Sequence, residues 1–259
     1  MEISIYHIDA FASELFKGNP AAVCPLGKWL SDDLMQLIAF ENNLSETAFF
    51  VRNGDGFHIR WFSPTNEVDL CGHATLATAF VIFNIFNYDK NVIEFESKSG
   101  LLKVFKDDDN LILDLPAQPP TACDTPQEII NALNITPIEC LKSEDFIAVL
   151  NDESDIQSIE PDFEELKKLG LRGIIITAQS KTHDFVARCF FPGIGILEDP
   201  VTGSAYTQLA PYWAIKLGKS VFSVKQLSAR GGELICELYK DRVLINGKAV
   251  KYMEGTIDL

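Results

Sequence analysis

The sequence lacks most of the short patterns that announce a chemistry. It contains no Gly-x-Gly-x-x-Gly, P-loop, Gly-x-Ser-x-Gly or His-Glu-x-x-His stretch. The phosphate cradles, nucleophile turns and zinc helices of nucleotide-dependent enzymes, serine hydrolases and zinc peptidases are therefore not in view. Its six cysteines, at positions 24, 71, 123, 140, 189 and 236, include no Cys-x-x-Cys pair, and are expected as reduced thiols in or near the core. His7, His58 and His183 have no second ligand at metal-binding spacing, so no metal site is expected. Positive charge is scarce: 22 Lys and Arg against 37 Asp and Glu leave a net charge of −15. Without clustered cations, binding to nucleic acid or to an anionic membrane is not expected. The same charge repels a carboxylate substrate at long range, so any anion site must be made by local donors such as helix N-termini. No apolar run reaches the roughly 18 residues needed to span a bilayer. The start Met1-Glu2-Ile3-Ser4-Ile5-Tyr6 lacks the basic and apolar regions of a signal peptide, and a cytoplasmic location is expected.

What the chain has is a core and an internal repeat. With 259 residues, 47% hydrophobic and 23% charged, it has a globular composition and room for two modest domains. The stretch Glu198-Asp199-Pro200-Val201-Thr202-Gly203-Ser204 leads into a helix pattern from Ala205 through Leu217, apolar around most of its circumference and expected to be buried. A buried helix start carries unpaired N–H groups and partial positive charge inward, where an anion can satisfy them. Asp69-Leu70-Cys71-Gly72-His73-Ala74-Thr75-Leu76 repeats the arrangement in the first half. Arg60-Trp61-Phe62-Ser63-Pro64 likewise matches Arg188-Cys189-Phe190-Phe191-Pro192, and Phe105-Lys106-Asp107 matches Tyr239-Lys240-Asp241. The offset stays near roughly 130 residues, as expected of a tandem duplication. Pro116-Ala117-Gln118-Pro119-Pro120 is the natural boundary, giving domains over 1–116 and 117–251. Period-two segments predict strands at 3–11, 47–51, 58–62, 92–95, 101–105 and 111–115, and again at 146–150, 173–178, 185–191, 232–239 and 243–245. Ser31-Asp32-Asp33 caps a helix over 34–40.

Glu46, between a polar turn and Ala48-Phe49-Phe50, is the first candidate for chemistry. A carboxyl group among aromatic neighbours suits general acid/base work, while a turn-capping carboxylate is the plainer alternative. Asp199, ahead of Pro200, projects from the loop before the second central helix or serves as its cap. His73 at the first helix start suits proton shuttling or substrate binding, and equally a satisfied buried histidine. Cys71 reads as a thiol acid/base or a structural cysteine. Two helix starts with acid/base groups beside them suit proton abstraction and return next to a carboxylate, without a cofactor.

Ile8-Asp9-Ala10-Phe11, Gly18-Asn19-Pro20, Asn43-Leu44-Ser45-Glu46-Thr47, Gly72-His73-Ala74-Thr75 and Glu198-Asp199-Pro200-Val201-Thr202-Gly203-Ser204-Ala205 resemble, in order, the signature segments of the PhzF-like isomerases of phenazine biosynthesis. The resemblance implies an α/β (α+β) diaminopimelate epimerase-like fold. In that fold two pseudo-symmetric domains each wrap a curved, mostly antiparallel sheet around a central helix, with the site in the cleft. It also implies that the final strand, within 252–259, returns to the first domain. Glu46 would be the general acid/base, with His73 and Asp199 aiding proton transfer, Ser204 binding substrate, and backbone groups at Asn19, Gly72 and Gly203 lining the site. A small anionic substrate, no cofactor and a homodimer are implied as well. Diaminopimelate epimerases use two cysteines. Cys71 lies near the first such position, but the second signature has no thiol, which disfavours that chemistry. Gln226-Leu227 departs from the Gln-Gly expected before Arg230-Gly231-Gly232.

Overall fold

The structure is a computed structural model describing residues 1–259. It divides into two compact units, Met1–Leu115 with Ile245–Leu259, and Pro116–Leu244. In the first, β1 (Glu2–Ala10) and β2 (Asn19–Leu26) form an antiparallel hairpin. The chain crosses through α1 (Asp32–Asn42) to β3 (Glu46–Asn53), parallel to β2, and returns antiparallel as β4 (Gly56–Phe62). A short β5 (Glu67–Val68) leads into α2 (Gly72–Phe80), which continues as a π-helical turn at Val81–Ile85. β6 (Val92–Ser97), parallel to β4, then meanders into β7 (Gly100–Asp107) and β8 (Asn110–Pro116).

The second unit repeats this plan. After β9 (Thr121–Ala122) and α3 (Gln127–Leu133), β10 (Glu139–Lys142) and β11 (Phe146–Val149) form the hairpin. Two short helices, α4 (Glu153–Ser158) and α5 (Phe163–Leu166), cross to β12 (Ile174–Gln179), parallel to β11, and β13 (Phe185–Phe191) returns antiparallel. β14 (Ile196–Asp199) leads into α6 (Gly203–Leu217). β15 (Val221–Gln226), parallel to β13, is followed by β16 (Gly232–Tyr239) and β17 (Arg242–Gly247). Strand for strand, the pairing directions match those of the first unit, so the repeat is one of topology as well as of sequence. β10, β14 and β15 fill places in this plan that the periodicity reading left as loop.

β18 (Ala249–Asp258) pairs antiparallel with β1 from Ala10↔Ala249 to Glu2↔Asp258. The return begins at Ile245, earlier than the residue 252 expected from sequence. The turn into β18 is pinned against the end of β1: a Cβ at Gly247 would come within 2.5 Å of the Phe11 ring, and Ala12 N–H bonds to Lys248 O at 3.1 Å.

Each sheet is covered on both faces, and side-chain alternation decides what each face meets. In the first unit Cys24, Phe49 and Phe62 pack with Met35, Ile38 and Ala39 of α1, and Asn42 Nδ2 bonds to Thr47 Oγ1 at 3.1 Å. Thr47 and Phe49 thus face α1, which turns Glu46, Ala48 and Phe50 to the face that α2 covers. α2 is buried from His73 through Ala79. In the second unit Ala148, Ile174, Ile176 and Phe190 pack with Ile129, Ile156 and Leu166 of α3 to α5. On the other face Phe185 stacks on Trp213 of α6 at 5.3 Å, and Trp213 Nε1 bonds to Thr177 Oγ1 at 3.1 Å. The last turn of α6 corrects the sequence expectation of full burial: Ile215 is 85% exposed, just before the helix ends at Gly218 with φ 65°.

The duplicated arginines have the same task. Arg60 on β4 grips Glu67 through Nε at 2.7 Å and Nη2 at 2.9 Å and lies over the Phe62 ring. Arg188 on β13 grips Glu198 at 2.7 and 3.0 Å and lies over Phe190. Each bidentate pair fixes the short strand that delivers a buried helix start. The hydrogen bonds from Arg60 hold Glu67 down to about 2, against the opposing effect of burial and with help from Lys98. A depressed carboxyl pKa stabilises the fold above its ordinary value, and that stability disappears as pH falls through the folded-state value. Wild-type protein should therefore lose about 2 kcal/mol between its plateau and pH 2 through this residue. Acid-dependent urea denaturation of Glu67→Gln should lack that component.

Candidate active site

Glu46 is the first residue of β3 and His73 the second of α2. Both are more than nine-tenths buried, at 7% and 5% exposure. His73 Nε2 lies 3.2 Å from Glu46 Oε2. The pair is at ion-pair distance but not aligned for a directed hydrogen bond, and neither atom has another such partner. Their facing lone-pair and N–H capacity is therefore open to a third group.

The other edge of the imidazole is tightly specified. Ser45 Oγ donates to Asn19 Oδ1 at 3.2 Å, which turns Asn19 Nδ2 toward His73 Nδ1, also at 3.2 Å. Nδ1 then accepts, and the neutral ring carries its proton on Nε2, toward Glu46. Cys71 Sγ lies 3.5 Å from the same Nδ1. Asn19 itself is placed by Gly18, whose φ of 67° and approach to Ala10 O, 2.1 Å from a built Cβ, admit no side chain. The family resemblance implies a backbone role for Asn19. The structure gives its fully buried side chain the task of orienting His73.

Burial pushes the Cys71 thiol up to about 11, with the Glu46 carboxylate adding and His73 opposing. Burial also opposes a charge on His73, but Cys71 and Glu46 outweigh it and hold its pKa well above the ordinary 6.5. A doubly protonated ring would meet Asn19 Nδ2 with a second donor, so charging His73 couples to turning the Asn19 amide.

In the second unit Asp199 ends β14 and is 6% exposed. Thr202 Oγ1 donates to its Oδ2. Gln226, wholly buried at the end of β15, clamps this loop: its Nε2 donates to Asp199 O at 2.7 Å and its Oε1 accepts from Thr202 N at 2.9 Å. In the sequence, Gln226-Leu227 stands out only as a departure from the signature pattern. Gln226 is the side chain that sets the Asp199 loop, and Leu227 packs against the outer core.

Gly203 is buried and Ser204 half-buried in the first turn of α6. Ser204 Oγ lies 3.4 Å from Arg172 Nη2, and Arg172 is held by the fully buried Asp145 at 2.6 and 3.0 Å. Gln208 Nε2 completes the Asp145 contacts at 2.8 Å. No sequence pattern singled out Asp145 or Arg172. Neither α2 nor α6 has a side-chain N-cap or an acidic residue in its first turn. The Thr202 hydroxyl at α6 is committed to Asp199 instead. Gly72 and Gly203 thus open helices whose first N–H groups have no capping acceptor, an arrangement that favours an external anion.

The structure therefore gathers Asn19, Glu46, Gly72 and His73 within the first unit, joined by Ser45 and Cys71. Within the second it gathers Asp199, Gly203 and Ser204, joined by Thr202 and Gln226. Replacing Gln226 by Leu removes the acceptor of the buried Thr202 N–H and the Nε2 donor to the Asp199 carbonyl, with an expected cost of about 2–4 kcal/mol in urea denaturation. A loss below about 0.5 kcal/mol would show that the loop is held by other contacts.

Comparison with known proteins places these features in a family. The phenazine biosynthesis-like protein family, PhzC-PhzF, matches residues 8–255. An uncharacterized isomerase of Pseudomonas aeruginosa is 51% identical over 259 residues, covering 100% of both chains. The crystal structure of a PhzF-family phenazine biosynthesis protein from Enterococcus faecalis superposes with a TM-score of 0.98 at 47% identity, covering 100% of each chain. A hydroxyproline epimerase from Agrobacterium vitis, 9% identical with a TM-score of 0.65 and covering 99% of this chain and 92% of its own, shares the fold. No helix is long and apolar enough to cross a membrane. The chain belongs to the phenazine biosynthesis-like PhzC-PhzF family and to the isomerase class its relatives carry in their names.

Proposed function

We propose that this isomerase works without a cofactor and moves a proton between carbons of one small carboxylate-bearing substrate, with Glu46 as the general acid/base. The observation that carries this reading is the buried Glu46–His73 pair, whose facing atoms lie 3.2 Å apart without a directed hydrogen bond. A carboxylate in that position can take a proton from carbon beside a carboxylate or conjugated group. The electron pair left behind delocalises into that group, and Glu46, now a carboxylic acid, returns the proton at another carbon. The carboxylate is regenerated and no electron is gained or lost.

Charge that develops on the substrate during this step needs donors already in place. His73, beside Asn19 and with its pKa raised by Cys71 and Glu46 against burial, supplies one beside the base. The uncapped start of α2 supplies backbone N–H groups suited to a carboxylate, and in the second unit the start of α6 offers donors of the same kind, with Ser204 as a hydroxyl in its first turn. Asp199, set by Thr202 and Gln226, assists proton transfer or receives a substrate donor group. With a net charge of −15 on the chain, such local donors are what makes an anionic substrate bindable.

The test is incubation of a panel of small unsaturated carboxylic acids in heavy water, followed by NMR. Deuterium at a carbon distinct from the one that lost hydrogen is the expected result. Deuterium only at the original carbon would replace isomerisation with epimerisation. In Glu46→Gln, folded as judged by circular dichroism, exchange should fall by about 10²–10⁴-fold. Exchange that persists at the wild-type rate would remove Glu46 from the chemistry.

A further inference from the structure

Glu46, Cys71 and His73 stand at the end of a strand and the start of a helix, with no metal-ligand spacing along the chain. Folding brings a carboxylate oxygen, the thiol sulfur and an imidazole nitrogen within 4.8 Å of one another, all three residues buried. Glu46 Oε2 and His73 Nε2 are the buried side-chain atoms there that lack a directed hydrogen bond. The contact of 3.2 Å between Glu46 Oε2 and His73 Nε2 is close to a ligand-to-ligand edge of a tetrahedral zinc site, whereas Cys71 Sγ lies 3.5 Å from the other ring nitrogen, Nδ1. With Zn–S near 2.3 Å and Zn–N or Zn–O near 2.0–2.1 Å, such edges come to roughly 3.3–3.6 Å. One ion can use only one nitrogen of His73, so a side-chain rotation of Cys71 or Glu46 must close the remaining distance. A mixed sulfur, nitrogen and oxygen set favours a borderline-soft ion over Mg²⁺ or Ca²⁺, which take oxygen ligands.

The geometry points to an inhibitory Zn²⁺ site formed by Glu46, Cys71 and His73, with three protein ligands and one open position. On binding, the Cys71 S–H bond gives way to a sulfur–zinc bond, and both the thiol proton and the Nε2 proton of the His73 imidazolium leave to solvent. Glu46 ligates as the carboxylate and His73 as neutral imidazole, so the metal occupies the lone pairs that proton transfer requires. The inhibitory role rests on the isomerase reading above, whereas the binding itself does not.

Cobalt is the probe that separates the two. Chelator-treated full-length protein titrated with Co²⁺ should saturate at one equivalent, with the strong visible bands of a four-coordinate ion and a near-ultraviolet thiolate-to-cobalt band. Zn²⁺ should displace it. Cys71→Ser should abolish the thiolate band, and Glu46→Gln should weaken binding by at least about tenfold. Cys140→Ser is the control, because Cys123 and Cys140, with sulfurs 3.7 Å apart, are a close thiol pair outside the site; it should leave the spectrum intact. Absence of the thiolate band at one equivalent, or a band that survives Cys71→Ser, would overturn the site. Full-rate deuterium exchange with Zn²⁺ bound would overturn inhibition. A metal-free protein that exchanges nothing would count against the isomerase reading, and the cobalt spectrum would still decide the site.

Discussion

A carboxylate and an imidazole, each more than nine-tenths buried, face one another 3.2 Å apart at the junction of β3 and α2. Burying a carboxylate is costly unless a cation or donors accompany it, and burying an imidazolium is costly in the same way. Each group makes the other tolerable, and much of the first unit is arranged around that compromise. Strand alternation aims Glu46 at the α2 face because Thr47 and Phe49 are taken by α1. Gly18 places Asn19, Asn19 and Ser45 orient the ring, and Cys71 closes its far edge. Because the two facing atoms are close yet misaligned, the pair retains polar capacity that a substrate can use.

The second unit reuses the same chassis for a different purpose. The hairpin, the parallel crossover, the bidentate arginine and the buried helix recur in order, and both helices begin without a side-chain cap. Where the first unit has Glu46 and His73, the second has Asp199 locked by Thr202 and Gln226. Duplication thus explains the shared scaffold, and divergence of a few loop residues explains why only the first half carries a buried carboxylate–histidine pair.

Much of this was legible in the sequence because the repeat and the signatures are local. Gly72 and Gly203 mark helix starts, Arg60 and Arg188 mark equivalent strands, and Pro116 to Pro120 mark a break. What escaped depends on long-range pairing. Glu67 and Glu198 are unremarkable acidic residues until β5 and β14 lie beside β4 and β13. Asp145 follows another acidic residue in a loop, and only burial against Arg172 and Gln208 gives it meaning. The Glu46, Cys71 and His73 cluster was invisible to a search for ligand spacing because its members belong to different elements. β15 is another matter: Val221 to Gln226 alternates buried and exposed residues, and that period could have been read.

The central claim is that Cys71 and Glu46, against the effect of burial, hold the pKa of His73 above its ordinary value, so that the base and its cationic neighbour act together. Nitrogen NMR of the His73 ring, titrated in wild type and in Glu46→Gln, measures this directly. The account predicts a wild-type midpoint well above 6.5, with the imidazolium lost only as pH rises through that midpoint, and a clear fall in the variant. A wild-type midpoint at or below 6.5, unchanged by the substitution, would contradict it.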